Sequence, residues 1–168
     1  MADYNQALSV DDAIERGRAL DNDGLEWIEE PIAHDDLVGC SGVAAALETP
    51  IQLGENFAGP ATLAAAIQLT ASDFAMLDLM RIGGVSGWLE AAELASNAGL
   101  PLSSHLYPEV SSHLLAASPT AHWLEYVDWA EPFLVTGVAV AGGQASVPLG
   151  PGTGVLWDDD AVARYQVS

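Results

Sequence analysis

The chain has 168 residues, half of them hydrophobic, which suffices for one domain with a buried core and leaves no room for a second. Its 24 acidic residues outnumber four basic residues, all of them arginine, so the formal net charge is -20. We therefore expect neither nucleic acid nor an anionic membrane surface as a partner. A lysine-free acidic surface is typical of a protein kept soluble in high salt, and a simple bias toward solubility gives the same composition.

The single cysteine, Cys40, cannot form an internal disulfide. We interpret it as an unpaired, buried thiol in a protein of the reducing cytoplasm. No apolar run in the sequence is long enough to span a membrane.

In chain order, short apolar runs that end in a polar residue alternate with alanine-rich stretches of helical period. This pattern predicts an α/β fold of repeated strand-helix units around a parallel sheet. Strands are predicted to end at Asp3 and to cover 25–29, 51–55, 74–78, 100–105 and 121–125. Helices are predicted over 10–21, 36–47, 60–70, 86–97 and 109–117. Ser9 as a cap, Pro60 at a helix start and Gly99 after a helix end support these boundaries.

The fourth helix is predicted to turn Leu89, Ala92 and Ala95 toward the core. After residue 135 the alternation stops, and the chain becomes rich in Gly, Pro and Val before a final short helix near 160–165. We therefore divide the chain into a catalytic part, 1–135, and a return segment, 136–168, that packs on the rest of the protein.

Ionisable residues fall at the predicted C-terminal ends of successive strands. Asp3, Glu29 and Glu55 are separated by 26 residues each, and Asp78, His105 and Glu125 follow at intervals of 23, 27 and 20. In a parallel (β/α) barrel the strands deliver these residues to one face. Three neighbouring carboxylates repel one another unless a cation lies between them, and oxygen-only ligands favour Mg²⁺.

The next two residues of the series form a candidate acid/base pair. A carboxylate at Asp78 that accepts a hydrogen bond from His105 would fix its tautomer and prepare the other ring nitrogen as a general base. Each residue also has a plainer reading, since a strand-end carboxylate often caps the next helix and a lone histidine is often structural. We assign no chemistry to His34, His113 or His122, and no role to Glu30 beyond solvation or a local salt bridge.

The glycine pair in Ile82-Gly83-Gly84-Val85 is a weak phosphate-loop signal without a nearby lysine, and a tight strand-to-helix turn explains it.

Six segments, in this order and spacing, resemble the enolase superfamily and within it the mandelate racemase group. They are Asp3-Tyr4-Asn5-Gln6, Trp27-Ile28-Glu29-Glu30-Pro31, Gly54-Glu55-Asn56, Asp78-Leu79-Met80-Arg81-Ile82-Gly83-Gly84-Val85, Ser103-Ser104-His105-Leu106 and Pro119-Thr120-Ala121-His122-Trp123-Leu124-Glu125. Gly152-Thr153-Gly154-Val155 resembles the family's C-terminal return segment. The resemblance covers nearly the whole chain.

This resemblance implies that Asp3, Glu29 and Glu55 bind Mg²⁺ and that Asp78 and His105 act together as acid and base. Glu125 would be a protonated acid that donates a hydrogen bond to the substrate carboxylate as it becomes an enediolate. Asn5 would contact the substrate or a water on the metal. The implied substrate is a small 2-hydroxy acid, and the implied assembly is a homo-oligomer.

Two features of the family have no counterpart in this sequence. The family carries a Lys-x-Lys pair on the strand before Asp3, with one lysine as the base on the opposite face of the substrate, and this chain has no lysine. The N-terminal capping domain and first barrel strands are also unmatched, so the resemblance implies a partial TIM-type barrel, about strands 3 to 8, and a fragment or internal start at Met1. Arg81 stands where mandelate racemases tend to have lysine.

The sequence leaves three functions open. The first is racemisation of a 2-hydroxy carboxylate, which this chain would carry out only in part. The second is dehydration of an acid sugar by the same histidine and aspartate. The third is an inactive metal-binding or structural fragment.

Overall fold

A computed structural model of the chain describes residues 1–166. Six strands form one parallel sheet whose spatial order follows the chain order. They are β1 (Ala2–Asp3), β2 (Ile28–Glu29), β3 (Ile51–Leu53), β4 (Phe74–Asp78), β5 (Leu102–His105) and β6 (Ala121–Leu124). The helices between them are α1 (Val10–Leu20), α2 (Leu37–Ala46), α3 (Pro60–Leu69), α4 (Gly84–Ala98) and α5 (Pro108–Ala116).

The predicted α/β class and its strand-helix alternation are confirmed, and every one of these helices begins and ends within two residues of its prediction. Ser9 Oγ accepts the N–H of Asp12 at the start of α1, Pro60 opens α3, and Gly99 closes α4 in a left-handed conformation. Strand β3 is shorter than predicted because Gly54 adopts a φ of 134° and ends the extended run.

The core lies between the sheet and its helices, and Ile28, Ile51, Leu53, Leu77 and Leu102 are at most 1% exposed. Strands covered on both faces read as continuous apolar runs, which is typical of parallel sheets. Cys40 is free and buried, as predicted.

The core face predicted for α4 was wrong in one position. Leu89 is half exposed, and Trp88 is fully buried beside Ala92 and Ala95. Trp88 can occupy the interior because its indole N–H donates to Ser118 Oγ at 3.1 Å, which satisfies its one polar group.

Near the N-terminal ends of the strands, His122 packs among aromatic rings. Its ring centroid lies 4.6 Å from that of Phe74 and 6.3 Å from that of Trp27. Burial lowers the pKa of His122, so the neutral ring is favoured. This surrounding agrees with a structural role for His122.

After β6 the chain forms two small antiparallel sheets and a terminal helix. Strand β7 (Leu134–Thr136) pairs with β10 (Leu156–Trp157), β8 (Ala139–Ala141) pairs with β9 (Gln144–Ser146), and α6 covers Asp159–Tyr165. His113 on α5 contacts this segment through Nε2, 2.8 Å from the carbonyl oxygen of Thr153. None of the helices within residues 1–166 combines the length and apolar character needed to cross a membrane.

Candidate active site

The ionisable residues singled out from the sequence lie along the C-terminal edge of the parallel sheet. Asp3, Glu29, Asp78 and His105 are the last residues of β1, β2, β4 and β5. Asp3 pairs in register with Glu29, and Asp78 with His105. Glu55 follows the end of β3 by two residues and Glu125 the end of β6 by one, so these two side chains are carried by loops.

The predicted contact between Asp78 and His105 is present. His105 Nδ1 lies 2.8 Å from Asp78 Oδ2. The other carboxylate oxygen of Asp78 accepts the backbone N–H groups of Met80 at 2.8 Å and Arg81 at 3.0 Å. These bonds hold the buried Asp78 in one orientation, and a histidine whose Nδ1 donates to such a carboxylate keeps Nε2 as its proton-exchanging atom.

Glu55 links this pair to the carboxylates of the earlier strands. Its Oε2 lies 3.4 Å from His105 Nε2, and its Oε1 accepts the side-chain amide of Asn56 at 3.1 Å. Glu55 therefore faces the ring nitrogen that is left free by Asp78.

Glu29 is the most enclosed of the three proposed metal ligands, with 4% of its surface exposed. Its Oε2 accepts the indole N–H of Trp27 at 2.9 Å and the side-chain amide of Gln52 at 3.1 Å. Burial raises the pKa of Glu29, the two hydrogen bonds oppose that rise, and the nearby charges of Asp3 and Glu55 add to it. The sequence analysis did not identify the supporting roles of Trp27 and Gln52.

Asp3, Glu29 and Glu55 lie at the ends of neighbouring strands, but their side chains do not converge on one point. Within residues 1–166, no three acidic, histidine or cysteine side chains lie together at the spacing of metal ligands. Asp3 is exposed, and its Oδ1 accepts the backbone N–H of Asn5 at 2.7 Å. The donor set still fits Mg²⁺, because it consists of carboxylates on three adjacent strands that are close enough to repel one another.

Glu125 lies beside His105 across β5 and β6. Its Oε2 accepts the N–H of Leu106 at 2.7 Å, and its own N–H donates to Ser104 Oγ at 3.2 Å. The carboxyl group is thereby held at the residue that follows the histidine, and no hydrogen bond within residues 1–166 engages its other oxygen.

The backbone along this edge is strained. Among residues 1–166, six residues other than glycine have positive φ, and five of them follow β1, β2 or β5: Asn5, Gln6, Glu30, Leu106 and Tyr107. Such conformations cost about 1 to 3 kcal/mol each and concentrate at functional sites. These positive φ values mark the candidate site in the structure, and no pattern in the sequence indicated them.

The prediction that Glu30 is solvated or forms a local salt bridge was wrong for residues 1–166. Its side chain is 1% exposed, and its Oε1 is among the buried atoms without a hydrogen-bond partner. Burial, with the charge of Glu55, raises the pKa of Glu30 to about 7. In the sequence, the one indication was that Glu30 directly follows Glu29 before Pro31. Neighbouring residues of a strand point to opposite faces, so the two glutamates are expected to have different surroundings.

The "Enolase C-terminal domain-like" family profile matches residues 1–161. With this match over nearly all of its length and with the strand-end residues described above, the chain belongs to that family.

Individual relatives agree with this assignment. The chain is 40% identical over 132 residues to the L-talarate/galactarate dehydratase of Salmonella typhimurium, covering 79% of this chain and 33% of that protein. The crystal structure of an enolase from Bradyrhizobium complexed with magnesium and mandelic acid superposes with a TM-score of 0.92 at 44% identity, over 99% of this chain and 46% of that one. L-Talarate dehydratase from Polaromonas, complexed with Mg and L-glucarate, gives a TM-score of 0.90 at 34% identity, over 96% and 45%. The chain thus spans less than half the length of these relatives.

Proposed function

We propose that this chain carries half of the acid/base machinery of an enzyme that removes the α-proton of a 2-hydroxy carboxylate with the help of Mg²⁺. The observation that supports this most directly is the contact of His105 Nδ1 with Asp78 Oδ2 at 2.8 Å, with Nε2 turned toward Glu55. A lone structural histidine would not need an orienting carboxylate on one side and a second carboxylate on the other.

The fold supports the same proposal. We infer that the six parallel strands are part of a (β/α)₈ barrel, because spatial order follows chain order and each of the first five strands is followed by a helix in the way such barrels are built. In that architecture active sites lie at the C-terminal ends of the strands, where the strained residues and the paired carboxylates of this chain are.

The metal would be held by Asp3, Glu29 and Glu55, whose side chains would converge on it from three adjacent strands. When bound, Mg²⁺ supplies a positive charge that stabilises the negative charge developing on the substrate carboxylate. The exposed Asp3 can turn toward Glu29, which is buried and which Trp27 and Gln52 hold in place.

The residues of this chain then divide the proton chemistry among themselves. His105 Nε2 takes the α-proton, and Asp78 stabilises the imidazolium through Nδ1 and keeps the ring in register. Glu125 donates a hydrogen bond to the carboxylate as the enediolate forms, which is where stabilisation lowers the barrier. Asn5, beside Asp3 on the first loop, contacts the substrate or its water.

The stereochemical result follows from the placement of the base. His105 approaches from one side of the site, and the chain contains no lysine to act from the other. We expect exchange of the α-proton of one enantiomer without inversion, which is half of a racemase reaction.

A dehydratase is the second candidate, and the 40% identity to a talarate/galactarate dehydratase favours it. Mandelic acid and L-glucarate, which occur in the two neighbouring crystal structures, both carry a hydroxyl group beside a carboxylate. The first step is the same for either substrate class; an acid sugar then loses its β-hydroxyl, for which His105 can return the proton.

Proton exchange in D₂O tests the proposal. The full chain is incubated with Mg²⁺ and, separately, with each enantiomer of mandelate and with galactarate, and ¹H NMR follows the α-proton. We expect deuterium uptake into one mandelate enantiomer only, and His105→Asn should slow it about a hundredfold or more. The control is His113→Asn, since His113 lies on α5 and its Nε2 contacts the return segment.

The other outcomes separate the candidate functions. Full racemisation by the chain would contradict the one-base mechanism. Formation of a 2-keto acid from galactarate would select the dehydratase. Tight Mg²⁺ binding without exchange or elimination on any substrate would instead support a metal-binding fragment without activity.

A further inference from the structure

Glu30 is the one fully buried carboxylate at the candidate site that the proposed chemistry leaves without a role. Its side chain is 1% exposed and its Oε1 has no hydrogen-bond partner. Within residues 1–166, the only ion pairs formed by carboxylates are those of Glu55 and Asp78 with His105. Because burying a carboxyl oxygen without a hydrogen bond is costly, its retention calls for a function at this position.

The other oxygen of Glu30 contacts the metal-ligand candidate Glu55 through one intermediary. Asn56 Nδ2 donates one hydrogen to Glu30 Oε2 at 2.9 Å and the other to Glu55 Oε1 at 3.1 Å. Glu55 Oε2 in turn lies 3.4 Å from His105 Nε2. One continuous series of polar contacts thus runs from Glu30 to the acid/base pair.

The backbone of Glu30 is fixed from both sides. Its N–H donates to the carbonyl of Gln52 at 3.1 Å, and its carbonyl accepts the N–H of Gln6 at 2.7 Å. Its φ of 34° is unfavourable for a residue with a side chain and is kept only where surrounding contacts determine it. In this conformation the carboxyl lies inside the protein, next to Asn56.

We propose that Glu30 is a positioning residue, which holds Asn56 so that Asn56 fixes the carboxylate of Glu55 for metal binding. The inference rests on the proposed function, in which Glu55 is a ligand of Mg²⁺. Asn56 bridges the two carboxylates because one of its amide hydrogens bonds to Glu30 and the other to Glu55. Without that acceptor the amide rotates, and Glu55 is free to leave the orientation in which it faces His105.

A double-mutant cycle on the full chain tests this pathway. Glu30→Met removes the acceptor at similar volume, Asn56→Leu removes the bridge, and Glu30→Gln keeps an oxygen that Asn56 can use. Mn²⁺, which favours the same oxygen ligands as Mg²⁺, is titrated by EPR. Each of the first two variants should weaken Mn²⁺ binding about tenfold, as loss of a ligand's supporting hydrogen bond does, and Glu30→Gln should retain most of the affinity.

The double variant distinguishes positioning from separate effects. We expect it to bind Mn²⁺ no more weakly than the weaker single variant, since both substitutions interrupt one contact series. Losses that multiply, or a Glu30→Met chain with wild-type affinity, would overturn the inference. Glu93→Gln, an exposed charge removal on α4, is the matched control.

A second measurement needs no metal and reports on Glu55 directly. The ¹⁵N shift of His105 Nε2 should change in Glu30→Met and Asn56→Leu and stay constant in Glu93→Gln, because Glu55 faces that atom. If wild type binds Mn²⁺ no better than Glu29→Gln, the proposed function fails, whereas the ¹⁵N shift still decides whether Glu30 positions Glu55. A constant shift in both variants contradicts the positioning role.

Discussion

Both edges of the parallel sheet carry acidic residues. The cluster of Glu29, Glu30 and Glu55 at the C-terminal edge accepts side-chain donors, whereas the carboxylates compared with it at the N-terminal edge accept backbone N–H groups. At the N-terminal edge, Asp21 Oδ1 accepts the N–H groups of Glu48 and Thr49, and Asp73 Oδ2 accepts the N–H of Ile51. At the C-terminal edge, by contrast, burial raises the pKa of Glu29 and of Glu30, the nearby charge of Glu55 adds to both rises, and Glu55 itself faces a histidine. The partner of a carboxylate therefore decides its role.

Backbone geometry shows the same contrast. The residues with strained positive φ that follow β1, β2 and β5 all lie at the C-terminal edge, while Thr70, the remaining one, closes α3. A carboxylate bonded to backbone amides stabilises the fold by itself, whereas clustered carboxylates on strained backbone destabilise it until a ligand compensates. Substitutions at the two edges should consequently separate stability from metal binding.

Glu29→Gln should give the largest effect of this kind. Removal of a proposed ligand should weaken Mg²⁺ or Mn²⁺ binding by about a hundredfold, the upper end of the range seen when only a ligand's supporting bonds are lost. Stability of the metal-free chain should not fall, because the raised pKa of Glu29 means that its ionised form disfavours folding at neutral pH. Metal titration and urea unfolding without metal measure the two quantities.

Glu26→Gln is the matched control for Glu29→Gln, since Glu26 is exposed and lies just before the same strand. It should change neither metal affinity nor stability. If Glu29→Gln destabilised the metal-free chain as much as it weakened metal binding, the distinction between the two edges would not hold.

The sequence predicted the α/β fold and the edge at which the candidate residues lie for a specific physical reason. A near-constant interval between strand ends, combined with parallel topology, is sufficient to bring Asp3, Glu29, Asp78 and His105 to one edge. The contact of His105 with Asp78 follows from their pairing in register on adjacent strands.

Side-chain details that depend on local backbone could not be predicted in this way. The burial of Glu30 results from its left-handed φ, and no residue-type signal announces that conformation for a glutamate. The spacing likewise predicts that Glu55 lies near Glu29, at the end of the next strand. It does not predict the orientation of the Glu55 side chain, which contacts His105 and Asn56. The metal-binding roles of Asp3, Glu29 and Glu55 therefore stay predictions, and the metal titrations test them.

Gly54→Ala should lower both the stability of the chain and its affinity for metal. The loss of affinity should be somewhat smaller than that caused by removing a ligand. Gly54 has a φ of 134°, and a Cβ there would lie 2.6 Å from the carbonyl oxygen of Met76. Relief of that contact must shift the end of β3 and with it Glu55, so we expect a loss of about 2 kcal/mol in stability together with weaker metal binding. Urea unfolding and Mn²⁺ titration of the same sample measure both.

The matched control is Gly42→Ala, because Gly42 lies inside α2 with no atom near its would-be Cβ. Helix propensity predicts that this variant gains about 0.5 to 1 kcal/mol and binds metal normally. A Gly54→Ala chain as stable as wild type would show that the strand end can move freely.

Asp21→Asn, at the N-terminal edge, should have the smallest effect and should leave metal binding unchanged. The bonds from Thr49 and Glu48 hold the pKa of Asp21 below its ordinary value of 3.8. A carboxyl whose pKa is lower in the folded than in the unfolded state stabilises the fold at pH values above the unfolded pKa. That contribution is lost only as the pH falls through the folded pKa.

The amide keeps an acceptor but loses the charge, so we expect Asp21→Asn to lose about 1 kcal/mol of stability at pH 7, the difference between a charged and a neutral hydrogen bond. Urea unfolding from pH 7 downward should show a constant gap to wild type until the pH drops below 3.8. Asp23→Asn, an exposed neighbour, should show no gap, whereas an Asp21→Asn gap that already closes near neutral pH, or a change in metal affinity, would mean that this carboxylate is coupled to the opposite edge.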